Sequence, residues 1–164
     1  MDTEPQELGL LAKLVIALAI VLIVAGAFLH GFTYDTFARF WDDLVDRPDG
    51  PMRFRFVLQP LMATIAAFRD GITDARVGRA PFLETMLRDP TRRVRRLNEA
   101  LNATARIILL GLAMDVIYQA VVLKTFYPNE ALVVALLLAF VPYLIIRGLV
   151  TRVWRRRAPT GTAG

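Results

Sequence analysis

The stretch TARIILLGLAMDVIYQAVVLKTFYPNEALVVALLLAFVPYLIIRGLV, residues 104–150, decides the fold class. Two apolar runs, 105–126 and 131–150, are separated only by the turn Tyr127-Pro128-Asn129-Glu130. Each is about long enough to cross a hydrocarbon layer of ~30 Å as a helix. The pair reads as a helical hairpin in a membrane. Its first helix starts well before the bilayer, because Asp89-Pro90 is a strong start signal, with Asp as N-cap and Pro at the first helical position. No breaker follows until Pro128, which predicts one helix over about 90–126, whose arginine-bearing first turns form a cytoplasmic helical extension that enters the bilayer near Arg106.

Upstream, residues 8–29 run apolar with only Lys13 as an interruption and predict a first transmembrane helix. Its acidic leader (Asp2, Glu4, Glu7) argues against a signal peptide, whose leader is basic. Residues 31–51 form an aromatic and acidic juxtamembrane segment with Phe32, Tyr34, Phe37, Phe40 and Trp41 at helical spacings. It ends in Arg47-Pro48-Asp49-Gly50-Pro51, a linker. Residues 54–69 are apolar but short, interrupted by Pro60 and flanked by Arg53 and Arg55, and predict an amphipathic helix at the interface. The chain thus divides into an N-terminal helix with its linker (1–51), a membrane unit (52–157) and a small, disordered-looking tail (158–164).

Composition agrees. The chain of 164 residues is 55% hydrophobic, above the roughly 45–50% of soluble domains, and has no cysteine and a single histidine. Disulfides and thiolate metal sites are excluded, and a metal site of any kind is not expected. The net charge is +5, with arginine supplying all the basic residues except Lys13 and Lys124. On a membrane protein that excess marks cytoplasmic flanks and anionic headgroups rather than nucleic acid. Placing the C-terminal arginines inside puts the turn outside, residues 92–96 inside and Met1 outside. The expectation is an all-α protein with three transmembrane helices, N-out and C-in, in a bacterial inner membrane. A fourth span over 54–69 is the alternative, and it would bring Met1 inside.

Three groups of residues are candidates for function. Asp115 lies mid-span, where an ionisable group is costly and counts as a functional-site candidate. With the turn centred on Pro128 and Asn129, positions summing to about 257 share a depth, at 1.5 Å of rise per residue. That pairs Asp115 with Tyr143, and Tyr118 and Gln119 extend the patch. It reads as a polar clasp; a lone carboxylate is thin support for a proton relay. His30 follows Gly26 by one turn, so a haem or pigment with His30 as axial ligand is an alternative to a plain interfacial histidine, and no other cofactor is expected. Arg53, Arg55, Arg92, Arg93, Arg95, Arg96, Arg152, Arg155, Arg156 and Arg157 form the third group, contacts for headgroups or a partner. Catalytic triads, paired catalytic carboxylates and phosphate loops are absent, so an enzyme is not expected.

Arg53-Phe-Arg-Phe-Val-Leu-Gln-Pro-Leu-Met62, Arg69-Asp-Gly-Ile72, Asp74-Ala-Arg76, Phe126-Tyr-Pro128, Glu130-Ala-Leu132 and Val141-Pro-Tyr143 resemble an uncharacterised family of small bacterial inner-membrane proteins. The resemblance covers about Met52–Val153, with an extra N-terminal transmembrane helix here, and implies architecture but no activity. The function expected is a non-catalytic accessory or scaffolding subunit of a larger membrane complex, respiratory or photosynthetic, with integral-membrane partners. A small oligomeric transport or proton-handling protein using Asp115 is the second reading, and a pigment- or haem-binding subunit through His30 the third.

Overall fold

The computed structural model describes residues 7–30 and 54–157. Among them are five α-helices and no strand: α1 (Leu10–His30), α2 (Arg55–Arg76), α3 (Phe82–Arg88), α4 (Pro90–Tyr118) and α5 (Pro128–Arg157). Three stretches, Leu10–Leu29, Pro90–Val122 and Pro128–Arg157, are long and apolar enough to cross a membrane. The aromatic segment 31–51, Arg53 and the tail lie outside the described residues.

α4 starts as its sequence requires. The Asp89 carboxylate accepts from the amides of Thr91 (3.1 Å) and Arg92 (3.3 Å), with Pro90 at the first helical position. Its end differs from expectation. The α-helix stops at Tyr118, continues as a π-helical turn over Gln119–Leu123, and is turned out by Lys124 at φ 51°. The Gln119 side chain closes this excursion. Its Oε1 accepts from the Tyr127 amide at 2.6 Å, and its Nε2 donates to the Tyr127 carbonyl at 3.2 Å and to Asp115 at 2.6 Å.

That closure shifts the hairpin register. Gln119 sits beside Tyr127, and far down the hairpin Glu99 bonds Arg147. In both pairs the positions sum to 246, not about 257, because residues 119–127 are spent on the turn. Asp115 is therefore level with Ala131, and Tyr143 with Ala103, about 18 Å from Asp115 along the helix.

α2 is longer than the expected interfacial helix and lies alongside the hairpin. Asp70 bonds Tyr143 and Asp74 bonds Arg147, so equal steps of one turn on α2 and α5 stay in contact and the two helices run parallel. At the other end, Gln59 donates to the Ile107 carbonyl at 3.3 Å. The face that makes this possible is Gln59, Ala63, Ala67, Gly71 and Asp74, of which Ala63 and Ala67 are wholly buried. Small residues four apart let α5 come close, near enough for the Thr151 hydroxyl to donate to the Gly71 carbonyl. The opposite stripe, Val57, Leu61, Ile65 and Phe68, is exposed.

α1 runs in the same direction as α4. Near its start the Gly9 amide donates to Asn102 Oδ1 at 2.8 Å, and Asn102 Nδ2 donates to the Glu7 carbonyl at 3.1 Å. Near its end, Gly26 leaves space that the Asn129 side chain fills. The start of α1 and the arginine-rich end of α5 therefore share one end of the bundle. An N-out, C-in arrangement of three spans needs them at opposite ends. The helices alternate in direction, α1 and α4 one way and α2 and α5 the other, with α3 joining α2 to α4 at the arginine-rich end. The core between them is built largely from alanines, with Ile107, Ile108, Leu112, Leu132, Tyr143 and, beneath the arginine-rich end, Phe82 as its larger side chains.

Candidate functional site

Charge is concentrated at the arginine-rich end, where α2, α4 and α5 meet the α2–α3 link. Arg147 interrupts the apolar run of α5 and is 4% exposed, as is Arg96 on α4. Between them stands Asp74, 1% exposed, receiving Arg147 Nε at 2.8 Å on one oxygen and Arg96 at 3.0 Å on the other. Glu99 Oε2 accepts from Arg96 and from Arg147, each at 3.1 Å. Arg79, half-exposed on the link, approaches Asp74 at 3.5 Å and Glu99 at 3.7 Å. Arg96 also donates to the Ala80 carbonyl, at 3.1 Å.

The second ring around this centre is aromatic and hydroxylic. Arg147 donates to the Tyr143 hydroxyl at 3.0 Å, and that hydroxyl donates to Asp70 at 2.5 Å. The Arg147 guanidinium also lies over the rings of Phe82 (5.3 Å) and Tyr143 (5.8 Å), the kind of stacking that arginine's flat, weakly hydrated cation favours. Asp70, Asp74 and Glu99 face Arg79, Arg95, Arg96 and Arg147: three carboxylates and four guanidiniums. Buried charges are tolerated when paired and hydrogen-bonded in this way. The arrangement is a clamp that ties α2, α4, α5 and the link leading to α3 at one level.

Beside the clamp a cleft of about 520 Å³ opens between α2 and α4, lined by Asp70, Thr73, Asp74, Arg79, Glu99, Asn102, Ala103 and Arg147. Among the described residues no group of three or more His, Asp or Glu side chains is placed to hold a metal ion.

The expected site residues are redistributed. Tyr143 is not a partner of Asp115; the register shift carries it to Asp70 and Arg147 in the clamp. Asp115 and Gln119, both fully buried, form a separate polar knot with Tyr127 at the turn, and Tyr118 is buried one turn from Asp115. Arg96 is not available to a headgroup, because burial and two carboxylates hold it inside. Arg92 pairs with Asp89 at 3.1 Å, Arg95 approaches Glu99 at 3.7 Å, and Arg93 donates to the Leu87 carbonyl at 3.2 Å. Arg152, Arg155, Arg156 and Arg157 are exposed. His30 is the last residue of α1 and Arg55 the first of α2, but both side chains lie outside the described residues.

Asp70, Asp74, Glu99 and Arg147 were not anticipated as one site. Two signals point to them. Arg147 stands three residues inside an apolar run, and Asp70 and Asp74 have the same one-turn spacing on α2 as Tyr143 and Arg147 on α5.

No relative supplies a role. The chain matches no family model, no curated protein and no solved structure.

Proposed function

We propose that the protein is a non-catalytic accessory or scaffolding subunit of a larger bacterial inner-membrane complex, respiratory or photosynthetic. In this reading α1, α2, α4 and α5 span the bilayer as an up-down-up-down bundle with both chain ends in the cytoplasm. The unit that resembles the small inner-membrane family carries the clamp, and α1 is packed onto its side.

One observation carries the reading: the arginine-rich end of α4 and α5 projects beyond α1. α1 begins against Asn102, so α4 residues 90–101 reach about 18 Å further, braced against α5 by the clamp. Internal carboxylates consume Arg96 and Arg147, while Arg88, Arg92 and Arg93, on α3 and the first turn of α4, are exposed on a rigid stub. A stiff charged platform on a membrane anchor suits docking to acidic surfaces of neighbouring subunits better than it suits turnover. The exposed apolar residues on all four long helices, such as Ile20 and Val24, Val57 and Ile65, Leu110 and Ile117, and Leu137 and Ile145, support immersion of the whole bundle. The arginine excess at the clamp end supports a cytoplasmic assignment, and the acidic leader does not oppose it, since Asp and Glu weigh little in orientation.

Purification from native membranes in mild detergent tests the proposal. Partners should accompany the wild-type chain and be lost from Arg92→Glu/Arg93→Glu. A monodisperse, partner-free chain refutes it. The buried Asp115, next to a π-helical turn of the sort often found at functional sites, favours proton handling as a second reading. Proteoliposome flux that is unchanged in Asp115→Asn removes that alternative. A pigment or haem at His30 is tested by the absorption spectrum of the purified chain.

A further inference from the structure

Not all the arginines at this end are spent. A groove of about 450 Å³ runs between α3 and the last turns of α5, lined by Pro81, Glu84, Arg152, Arg155 and Arg156. The three arginines stand at i, i+3 and i+4, within one turn and on one side of α5. All three are exposed, and among the described residues none makes an ion pair. Glu84, the single carboxylate in the groove, is already met by Arg88 at 3.1 Å. Among the described residues the groove therefore carries three guanidiniums without a carboxylate partner, whereas in the neighbouring clamp each guanidinium has one. Around it the surface is apolar: Leu83 and Leu87 on α3, Leu149 and Val153 on α5, all at least 40% exposed, with Trp154 at 36%. Trp at such a boundary marks the level of lipid headgroups.

We infer that this groove binds the headgroup of an anionic phospholipid, and specifically one carrying two phosphodiesters, as in a cardiolipin. Arginine's fork of donors matches phosphate oxygens. A single phosphodiester would leave most of the positive charge of Arg152, Arg155 and Arg156 uncompensated, and a second phosphate on the same glycerol bridge offsets it. The acyl chains would then lie along Leu83, Leu87, Leu149 and Val153, which no other described residue covers. A soluble anion would use the arginines but gain nothing from that apolar border. The inference needs the bundle to sit in a membrane, but it does not depend on any partner subunit.

The test uses the full-length chain, purified without partners, titrated with short-chain cardiolipin, phosphatidylglycerol and phosphatidylethanolamine and read by native mass spectrometry. Cardiolipin should bind tightest and phosphatidylethanolamine weakest. At about fivefold per arginine, Arg152→Gln/Arg155→Gln/Arg156→Gln should weaken cardiolipin about a hundredfold. Arg92→Gln/Arg93→Gln, which removes charge from the same end but not from the groove, should change it less than threefold. Glu84→Gln, which cannot weaken an anion site by unfolding it through lost cations, should tighten cardiolipin or leave it unchanged. Equal affinity for the zwitterionic lipid, an equal loss in the Arg92/Arg93 control, or full displacement by millimolar inorganic phosphate would each overturn the assignment.

Discussion

Replacing Asp74 by asparagine keeps the shape of the side chain and removes the charge that stands between Arg147 and Arg96. The structure sets the scale. Asp74 is 1% exposed and accepts charge-assisted bonds of 2.8 and 3.0 Å, each worth about 1.5–3 kcal/mol when one partner is deleted. Breaking a buried ion pair from one side costs about 3–5 kcal/mol, because the remaining charges stay buried. Hydrogen bonds between helices inside a bilayer are often worth less, about 0.6 kcal/mol, since the separated helices also find partners. Here two buried guanidiniums lose their shared carboxylate, so the larger figure should win, at about 3 kcal/mol. For a chain of this size that lowers the unfolding midpoint by about 6–12 °C, followed by far-UV circular dichroism in detergent. Asp70→Asn, at a half-buried carboxylate bonded by one neutral hydroxyl, should cost about 1 kcal/mol. Asp74→Leu combined with Arg96→Met and Arg147→Met should recover most of the loss, as apolar replacements of buried ion networks commonly do. If Asp74→Asn melts within about 2 °C of wild type, or no lower than Asp70→Asn, the clamp does not hold the helices together.

Other outcomes follow from the same geometry. Gly111→Ala places a Cβ against Gln59 Nε2 and should destabilise by about 1–3 kcal/mol, with Gln59→Ala relieving most of it in the double variant. Gln119→Leu removes the amide that closes residues 119–127 and should cost about 1–3 kcal/mol in the same melts, with little effect at the clamp end. Reporter tags on the N- and C-termini should both face the cytoplasm; a periplasmic N-terminal tag would refute the four-span bundle. The Asp89 carboxyl is held below its usual range, first by the Thr91 hydroxyl bond and then by the Arg92 and Thr91 contacts. Its contribution to α4 is therefore complete above the ordinary aspartate pKa of about 3.9 and fades as pH falls through the lower folded value. Asp89→Ala should remove the part of the acid-side stability loss that begins below about pH 3.9, while leaving neutral-pH ion pairing at the clamp intact.

Much of this protein is local and was open to reading from the chain alone. Residues 10–29 and the hairpin runs are apolar over enough length that any packing leaves them helical and able to span, and Asp89-Pro90 starts α4 wherever α4 lies. Hydropathy gives no packing partner for α2, because it treats a helix as solitary. A short apolar run, Pro60 and flanking arginines make 54–69 read as a lone interfacial helix, yet Asp70 and Asp74 near the end of α2 have their partners Tyr143 and Arg147 73 positions away on another helix. Only the tertiary structure decides that pairing, through the close approach that Ala63, Ala67 and Gly71 allow. It also decides the hairpin register, because a π-helical turn and one left-handed residue consume chain that an ideal hairpin would place in its helices. The direction of α1 rests on Asn102 and Asn129, two polar side chains with no periodic signature. Arginine count said which end carries positive charge. Which arginines are locked inside, and which stay exposed, depended on where three carboxylates were folded to meet them.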